Sequence, residues 1–348
     1  MDYQNFISSK QIAVSQSGFE PHNLSGSLFE YQRHCVEFAL RAGRSAMFLD
    51  TGLGKTFCQL EYAREVVEHT NQPVLVLTPL AVAAQTAREA DKFGIDAKVI
   101  RDDGDVFNGV NIINYDRLDR LDVSQFSGVI LDESSILKNF SGKTRNQLVN
   151  AFRNTPYRLA CTATPSPNDH TELGNHSEFL GVLNHADMLP RWFINDTMNT
   201  GDWRLKGHAV RPFWDWVASW SRCVSKPSDL GFSDFGFDLP ALNIERHVID
   251  FESSAESQGQ LFASPELSAT GIHAVKKESA EHRSAKVAEM ANGSDEPWLI
   301  WCDTDIEADH LARLIPDAVE VRGSDKIEHK EESLLGFADG KIRVLITK

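Results

Sequence analysis

A short apolar run, Ser45-Ala46-Met47-Phe48-Leu49, breaks into Asp50-Thr51-Gly52-Leu53-Gly54 and passes directly into Lys55-Thr56 at the head of a helical pattern over 54–69. Strand, glycine turn and helix in that order form a unit whose turn N–H groups converge at a helix N-terminus, where an anion is favoured. A nucleoside triphosphate is the ligand such a turn cradles. Lys55 can reach the β- and γ-phosphates, and the Thr56 hydroxyl suits Mg²⁺. The strict glycine pattern requires Gly where this chain has Leu49, so the turn alone also fits a purely structural Gly-Lys-Thr bend.

A second signal lies downstream. Val129-Ile130-Leu131-Asp132-Glu133 reads as a buried strand ending in two adjacent carboxylates. At the C-terminal end of a parallel strand they would lie beside the phosphate turn, with Asp132 holding Mg²⁺ through its water shell and Glu133 polarising the attacking water. The bland alternative, an acidic turn capping the next helix, does not explain why both signals occur in this order.

Candidate strands at 46–49, 74–77, 98–100, 111–113, 129–131 and 157–160 alternate with helices such as 54–69 and 81–93, which predicts an α/β lobe with a parallel sheet covered on both faces. From 166 to 240 the rhythm shifts to polar turns and a tryptophan-rich helical stretch that includes Trp192, Trp203, Trp214, Trp216 and Trp220. Strand-like runs resume at 297–302, 319–321 and 342–346. At 348 residues and 41% hydrophobic the chain can bury more than one core, so two domains are expected. The boundaries read as an N-terminal extension over 1–25, a nucleotide-binding lobe over 26–168, a helical insertion or bridge over 169–240, a linker with a helix over 241–295, and a partial second lobe over 296–348.

The formal charge of −15 excludes a generally sticky polyanion-binding surface, so any nucleic acid must be held locally. Five cysteines at 35, 58, 161, 223 and 302 have neither metal-ligand nor disulfide-framework spacing, which favours a reducing interior. No apolar run is long enough to span a membrane, and the start lacks signal-peptide character. A soluble cytoplasmic protein, of bacterial or viral source in the absence of a basic targeting cluster, is the expectation.

The motif order over almost the whole chain resembles the helicase superfamily two ATPases, and among them the Swi/Snf-type double-stranded DNA translocases. Phe29-Glu30-Tyr31-Gln32 is similar to the family's adenine-reading element, and Asp50 with Gly52-Leu53-Gly54-Lys55-Thr56 to its phosphate loop, which also lacks the first glycine. Leu77-Thr78-Pro79-Leu80 resembles motif Ia, Ile113-Asn114-Tyr115 a later strand motif, Asp132-Glu133-Ser134-Ser135 through Lys138-Asn139 motif II, and Cys161-Thr162-Ala163-Thr164-Pro165 motif III. Phe213-Trp214, Arg222 and Leu239-Pro240-Ala241-Leu242 are similar to the segment joining the two lobes, Trp298-Leu299-Ile300-Trp301-Cys302 to motif IV, and Val321-Arg322-Gly323-Ser324 to the Gly-Ser element after the next strand.

The resemblance implies a RecA-like helicase ATP-binding lobe, a partial second RecA-like lobe, ATP with Mg²⁺, and movement along nucleic acid, most directly duplex DNA. It implies catalytic Lys55, Asp132 and Glu133; nucleotide binding by Tyr31, Gln32, Thr51, Gly52, Leu53, Gly54, Lys55 and Thr56; metal binding by Thr56 and Asp132; and coupling by Ser135, Thr162 and Thr164. Nucleic-acid contacts fall on Thr78, Asn114, Lys138 and Lys143, with Thr164 also a reasonable contact and a small basic island of Arg204, Lys206, His208 and Arg211 as a further arm. Two departures stand out. Ser135 replaces the family's usual histidine, and the chain stops at Lys348, before motifs V and VI, the second of which supplies an arginine finger worth about 10³ to 10⁵ in rate. A truncated chain that binds ATP but turns it over slowly is expected. An RNA or single-strand helicase, and a module that holds nucleotide with little turnover, remain the alternatives.

Overall fold

The structure, a computed structural model, describes residues 16–80, 82–139, 142–195, 203–237, 241–250 and 275–348. Two compact units divide the chain, Met1–Leu239 and Pro240–Lys348.

The larger unit is built on an all-parallel seven-stranded sheet. Its strands are β1 (Arg44–Leu49), β2 (Val74–Thr78), β3 (Ala97–Val99), β4 (Val110–Asn114), β5 (Gly128–Asp132), β6 (Tyr157–Cys161) and β9 (Ser221–Val224), in spatial order β3-β4-β2-β5-β6-β1-β9. The central strands read as continuous apolar runs because both faces are covered. Alternate residues serve two separate cores. Met47, Leu49, Val74, Val76, Ile112, Ile130 and Leu159 pack on one face with α1 (Glu30–Ala42), α2 (Lys55–Thr70) and α3 (Ala83–Lys92). Phe48, Leu75, Leu77, Ile113, Val129, Leu131 and Ala160 pack on the other with α4 (Lys143–Ala151), α5 (Leu173–Leu180), α6 (His185–Trp192) and α7 (Val210–Trp220).

The described residues of 169–237, within the segment 169–240 expected as an insertion or bridge, pack into this unit. Phe213, Trp216, Val217 and Trp220 form one face of α7, and all four lie in the second core with Trp192, whose ring stacks on Trp216 at 4.4 Å. The chain then enters β9, which extends the sheet beside β1 from Ala46↔Ser221 to Leu49↔Val224. No strand was expected there, since a four-residue run interrupted by Arg222 carries little strand signal. The Arg222 guanidinium lies 3.4 Å from the centroid of the Phe38 ring, so the charge is accommodated over an aromatic face. A short antiparallel ribbon, β7 (Phe193–Asn195) with β8 (Trp203–Leu205), completes the unit.

In the smaller unit, β10 (Trp298–Trp301), β12 (Val344–Thr347) and β11 (Ala318–Val321) form a parallel sheet in that spatial order. Helices α8 (Ala280–Asn292), α9 (Asp305–Leu314) and α10 (Ile327–Ala338) accompany it. Ala288, Ile300, Leu311, Val344 and Ile346 make its core. No helix among the described residues is long and apolar enough to cross a membrane.

Trp220 is fully buried, so Trp220→Ala should lower the unfolding free energy by about 3–5 kcal/mol in chemical denaturation. A loss under about 1 kcal/mol would show that α7 does not belong to this core.

Candidate nucleotide-binding site

The phosphate turn leaves β1 at Leu49 and closes on the N-terminus of α2. Gly52 and Gly54 take φ of +85° and +68°, left-handed values at which a side chain is strained, and Gly54 caps the 16-residue helix. The turn is held from beneath by α1. Leu53, 3% exposed, offers its carbonyl to both Tyr31 Oη (2.8 Å) and Gln32 Nε2 (3.0 Å). Gln32 Oε1 accepts the Phe29 N–H at 3.0 Å, so both ends of the amide are engaged. A Cβ at Gly54 would lie 2.4 Å from Gln32 Nε2, a second reason for glycine.

Gln32, expected to read adenine, therefore braces the loop and is 3% exposed. To bond a base it would have to release Leu53 or Phe29. The surface beside the turn is aromatic instead. Phe29, Thr51, Gly52, Phe235 and Phe237 border a cavity of about 500 Å³, with Phe237 edge-on to Phe29 at 5.1 Å and to Tyr31 at 5.2 Å. Phe235 and Phe237 were missed in the sequence, where their only signal is the glycine- and phenylalanine-rich run Gly231-Phe232-Ser233-Asp234-Phe235-Gly236-Phe237.

Asp132 closes β5, is 7% exposed, and accepts Gln59 Nε2 from α2 at 2.8 Å. Burial pushes its carboxyl up from the ordinary range, while the Gln59 bond and the nearby Lys55 charge pull it back. Lys55 and Thr56 are partly exposed in the first turn of α2. A buried carboxylate facing a lysine across a glycine turn is a donor set suited to a nucleotide-bound Mg²⁺.

Glu133 follows in the left-handed region, φ 57° and ψ 56°, a conformation costing a non-glycine residue about 1–2 kcal/mol. Its Oε1 accepts two hydroxyls, Thr162 Oγ1 at 2.6 Å and Ser135 Oγ at 2.7 Å. Thr162 Oγ1 in turn accepts the Thr164 N–H at 3.0 Å. Ser135, Glu133, Thr162 and Thr164 thus form one hydrogen-bonded chain from the end of β5 to the loop after β6.

The proposed nucleic-acid contacts divide. Thr78 and Asn114 are buried, at 0% and 2% exposure, and the Asn114 amide, in the orientation that satisfies its neighbours, donates to Leu80 O (3.1 Å) and Pro79 O (3.3 Å). They brace the turn after β2. Lys138 and Lys143 are exposed. Lys138 borders a cavity of about 440 Å³ with Pro79, Leu80, Tyr115, Glu133 and Ser135. In the basic island, Lys206 Nζ caps α6 by donating to Pro190 O at 2.7 Å, whereas Arg204, His208 and Arg211 are exposed.

Two residues of α5 went unnoticed in the sequence. Asn175 Nδ2 donates to Lys138 O and His176 Nε2 to Pro165 O, each at 3.0 Å. Desolvation lowers the His176 pKa from 6.5 to about 4, so the ring is neutral near pH 7.

A model of the type III restriction enzyme res subunit matches residues 25–167. The SWI/SNF-related matrix-associated actin-dependent regulator of chromatin subfamily A-like protein 1 of Xenopus laevis is 29% identical over 164 residues, 43% of this chain and 17% of that protein. Its Xenopus tropicalis counterpart is 27% identical over the same length. The chain therefore spans about a sixth of these relatives, matching 17% of their length. Among solved structures, the Sulfolobus solfataricus SWI2/SNF2 ATPase core in complex with dsDNA shares the fold at TM-score 0.52 and 14% identity, over 95% of this chain and 80% of that one. The same core domain determined as a separate structure gives 0.50 and 16%, over 95% and 78%. In fold the chain is similar to that SWI2/SNF2 ATPase core, and its seven-stranded parallel sheet is that of a RecA-like lobe.

Two outcomes follow for binding and stability. Gly54→Ala should weaken nucleotide binding by about tenfold or more in a fluorescent-ATP titration, since its Cβ strains the turn and displaces Gln32; unchanged affinity would contradict the bracing geometry. Because folding favours neutral His176, its contribution is complete above pH 6.5 and is lost as pH falls from 6.5 through about 4, by up to about 3 kcal/mol. Denaturation at pH 7 and 4.5 should show a smaller acid loss for His176→Leu than for the wild type, and equal losses would contradict the assignment.

Proposed function

We propose that the chain is an ATP-dependent motor on nucleic acid, most directly a translocase on double-stranded DNA. The observation that carries the reading is the hydrogen-bonded chain Ser135–Glu133–Thr162–Thr164, which ties the candidate hydrolytic carboxylate to a loop outside the nucleotide turn. The aromatic cavity at Phe29 and Phe237 takes the base, and the N–H groups of the turn with Lys55 take the phosphates. Thr56 and Asp132 would hold Mg²⁺, which when bound would neutralise phosphate charge. Among the described residues both hydroxyl bonds to Glu133 fall on Oε1, which leaves Oε2 to orient the attacking water. A shift of Glu133 during hydrolysis alters its bond to Thr162 and is felt at the Thr164 backbone, which couples nucleotide state to the loop.

Turnover by this chain alone is expected to be slow. The smaller unit's parallel strands and helices support reading it as part of a second RecA-like lobe. Duplex DNA is favoured by the Swi/Snf likeness, and Lys138 and Lys143 are the exposed residues offered to its phosphates. Five free cysteines suit a reducing cytoplasmic setting.

ATP hydrolysis measured alone and with duplex DNA, single-stranded DNA or RNA tests the reading. Duplex should stimulate most, and Glu133→Gln should abolish the stimulated rate. Equal or greater stimulation by single strands or RNA would reassign the track. Bound ATP with no hydrolysis under any condition would make the chain a nucleotide-holding module, and vigorous unstimulated hydrolysis would contradict the expected slow turnover.

A further inference from the structure

The loops that follow β5 and β6 are joined at their near ends by Glu133 and Thr162. They are also joined at their far ends, through neighbouring residues of α5. Asn175 donates to the carbonyl of Lys138, the residue closing the 3₁₀ turn Ser134–Leu137, and His176 donates to the carbonyl of Pro165, immediately after Thr164. Both side chains are almost wholly buried, at 1% and 0% exposure. The helix that carries them is firmly seated. Leu173, Phe179 and Leu180 lie in the second core, Glu178 pairs with buried Arg145 at 2.5 Å, and Ser177 Oγ bonds Leu183 O at 2.8 Å. A Cβ at Gly174 would lie 2.6 Å from His185 Cδ2, so α5 and α6 are in close contact there.

Satisfying two carbonyls is not the whole effect of this arrangement. Asn175 Oδ1 and His176 Nδ1 are buried without a hydrogen-bond partner among the described residues. Each unsatisfied atom costs free energy that an apolar residue beside Phe48 and the core would not incur. What the polar pair adds is a rigid connection: one helical turn grips both loops.

We propose that Asn175 and His176 form a two-pronged clamp that makes the loops after β5 and β6 move as one body, so that a shift of Glu133 on ATP hydrolysis is transmitted to Thr164 and Pro165. They are positioning residues, and the proposal rests on reading the site as that of an ATPase.

The test uses the full chain with His176→Leu, His176→Gln and Asn175→Ala. Amide hydrogen exchange without nucleotide follows 133–139 and 162–168. Loss of either prong should accelerate exchange in both segments by about tenfold, not only in the loop it touches. His176→Gln, which keeps an N–H donor, should restore protection. Exchange that rises only in the adjacent loop at unchanged global stability would overturn the clamp. In steady-state hydrolysis with duplex DNA, His176→Leu and Asn175→Ala should each lower kcat about tenfold while KM for ATP stays within about twofold; unchanged kcat would also overturn it. Should the wild type hydrolyse no ATP, the ATPase reading fails and the exchange pattern alone decides whether the loops are clamped. Should His176→Leu not fold, Asn175→Ala and His176→Gln decide by the same criteria.

Discussion

Parallel pairing of β1, β6 and β5 is the constraint on which the rest of the molecule depends. Register places Met47 beside Cys161 and Cys161 beside Asp132, in one row across neighbouring strands. β5 and β6 become loops at the next residue and β1 after Leu49, and all three loops emerge on the same edge of the sheet. The phosphate turn, the two carboxylates and the Thr162 loop meet for that reason, although they lie far apart in sequence. Neighbouring strands sit about 5 Å apart, which lets the Glu133 carboxylate receive the Thr162 hydroxyl directly.

Around that edge the polar side chains are assigned to holding loops rather than to facing solvent. Gln32 and Tyr31 grip Leu53, Asn114 grips the turn after β2, Tyr115 Oη donates to Asp132 O, and Asn175 and His176 grip the two hydrolytic loops. Loop backbones carry many unpaired carbonyls and N–H groups, and burying them without partners is costly. A loop that must be both accessible to nucleotide and fixed in shape therefore needs buried donors beneath it. At this edge the backbone of Glu133 is held in the left-handed region, at the residue whose carboxylate orients the attacking water in the proposed cycle.

Much of the fold was legible because its strands are buried on both faces. Val74–Leu77 and Val129–Leu131 are uninterrupted apolar runs, the pattern of strands covered on both faces. Lys55, Thr56, Asp132 and Glu133 were legible as candidates because glycine-turn chemistry and a strand-terminal carboxylate pair have sequence signatures, and the structure brings them to one edge. β9 was not legible, since its four residues gain strand character from pairing with β1 rather than from their own pattern. Residues whose position depends on a distant partner were not legible. Nothing local tells whether Gln32 faces adenine or Leu53, whether Thr78 and Asn114 face phosphate or Pro79 and Leu80, or that a histidine in the polar stretch after Pro165 turns inward to bond that residue's carbonyl.

The central claim is that the turn ending in Lys55 is an ATP site completed by the carboxylates of β5. Equilibrium titration of wild type and Lys55→Ala with fluorescent ATP and Mg²⁺ tests it most directly. Saturable wild-type binding that weakens about ten- to hundredfold in Lys55→Ala is the result expected from losing one charge-assisted phosphate contact. Equal affinity in the two proteins would show that the phosphates do not sit on this turn.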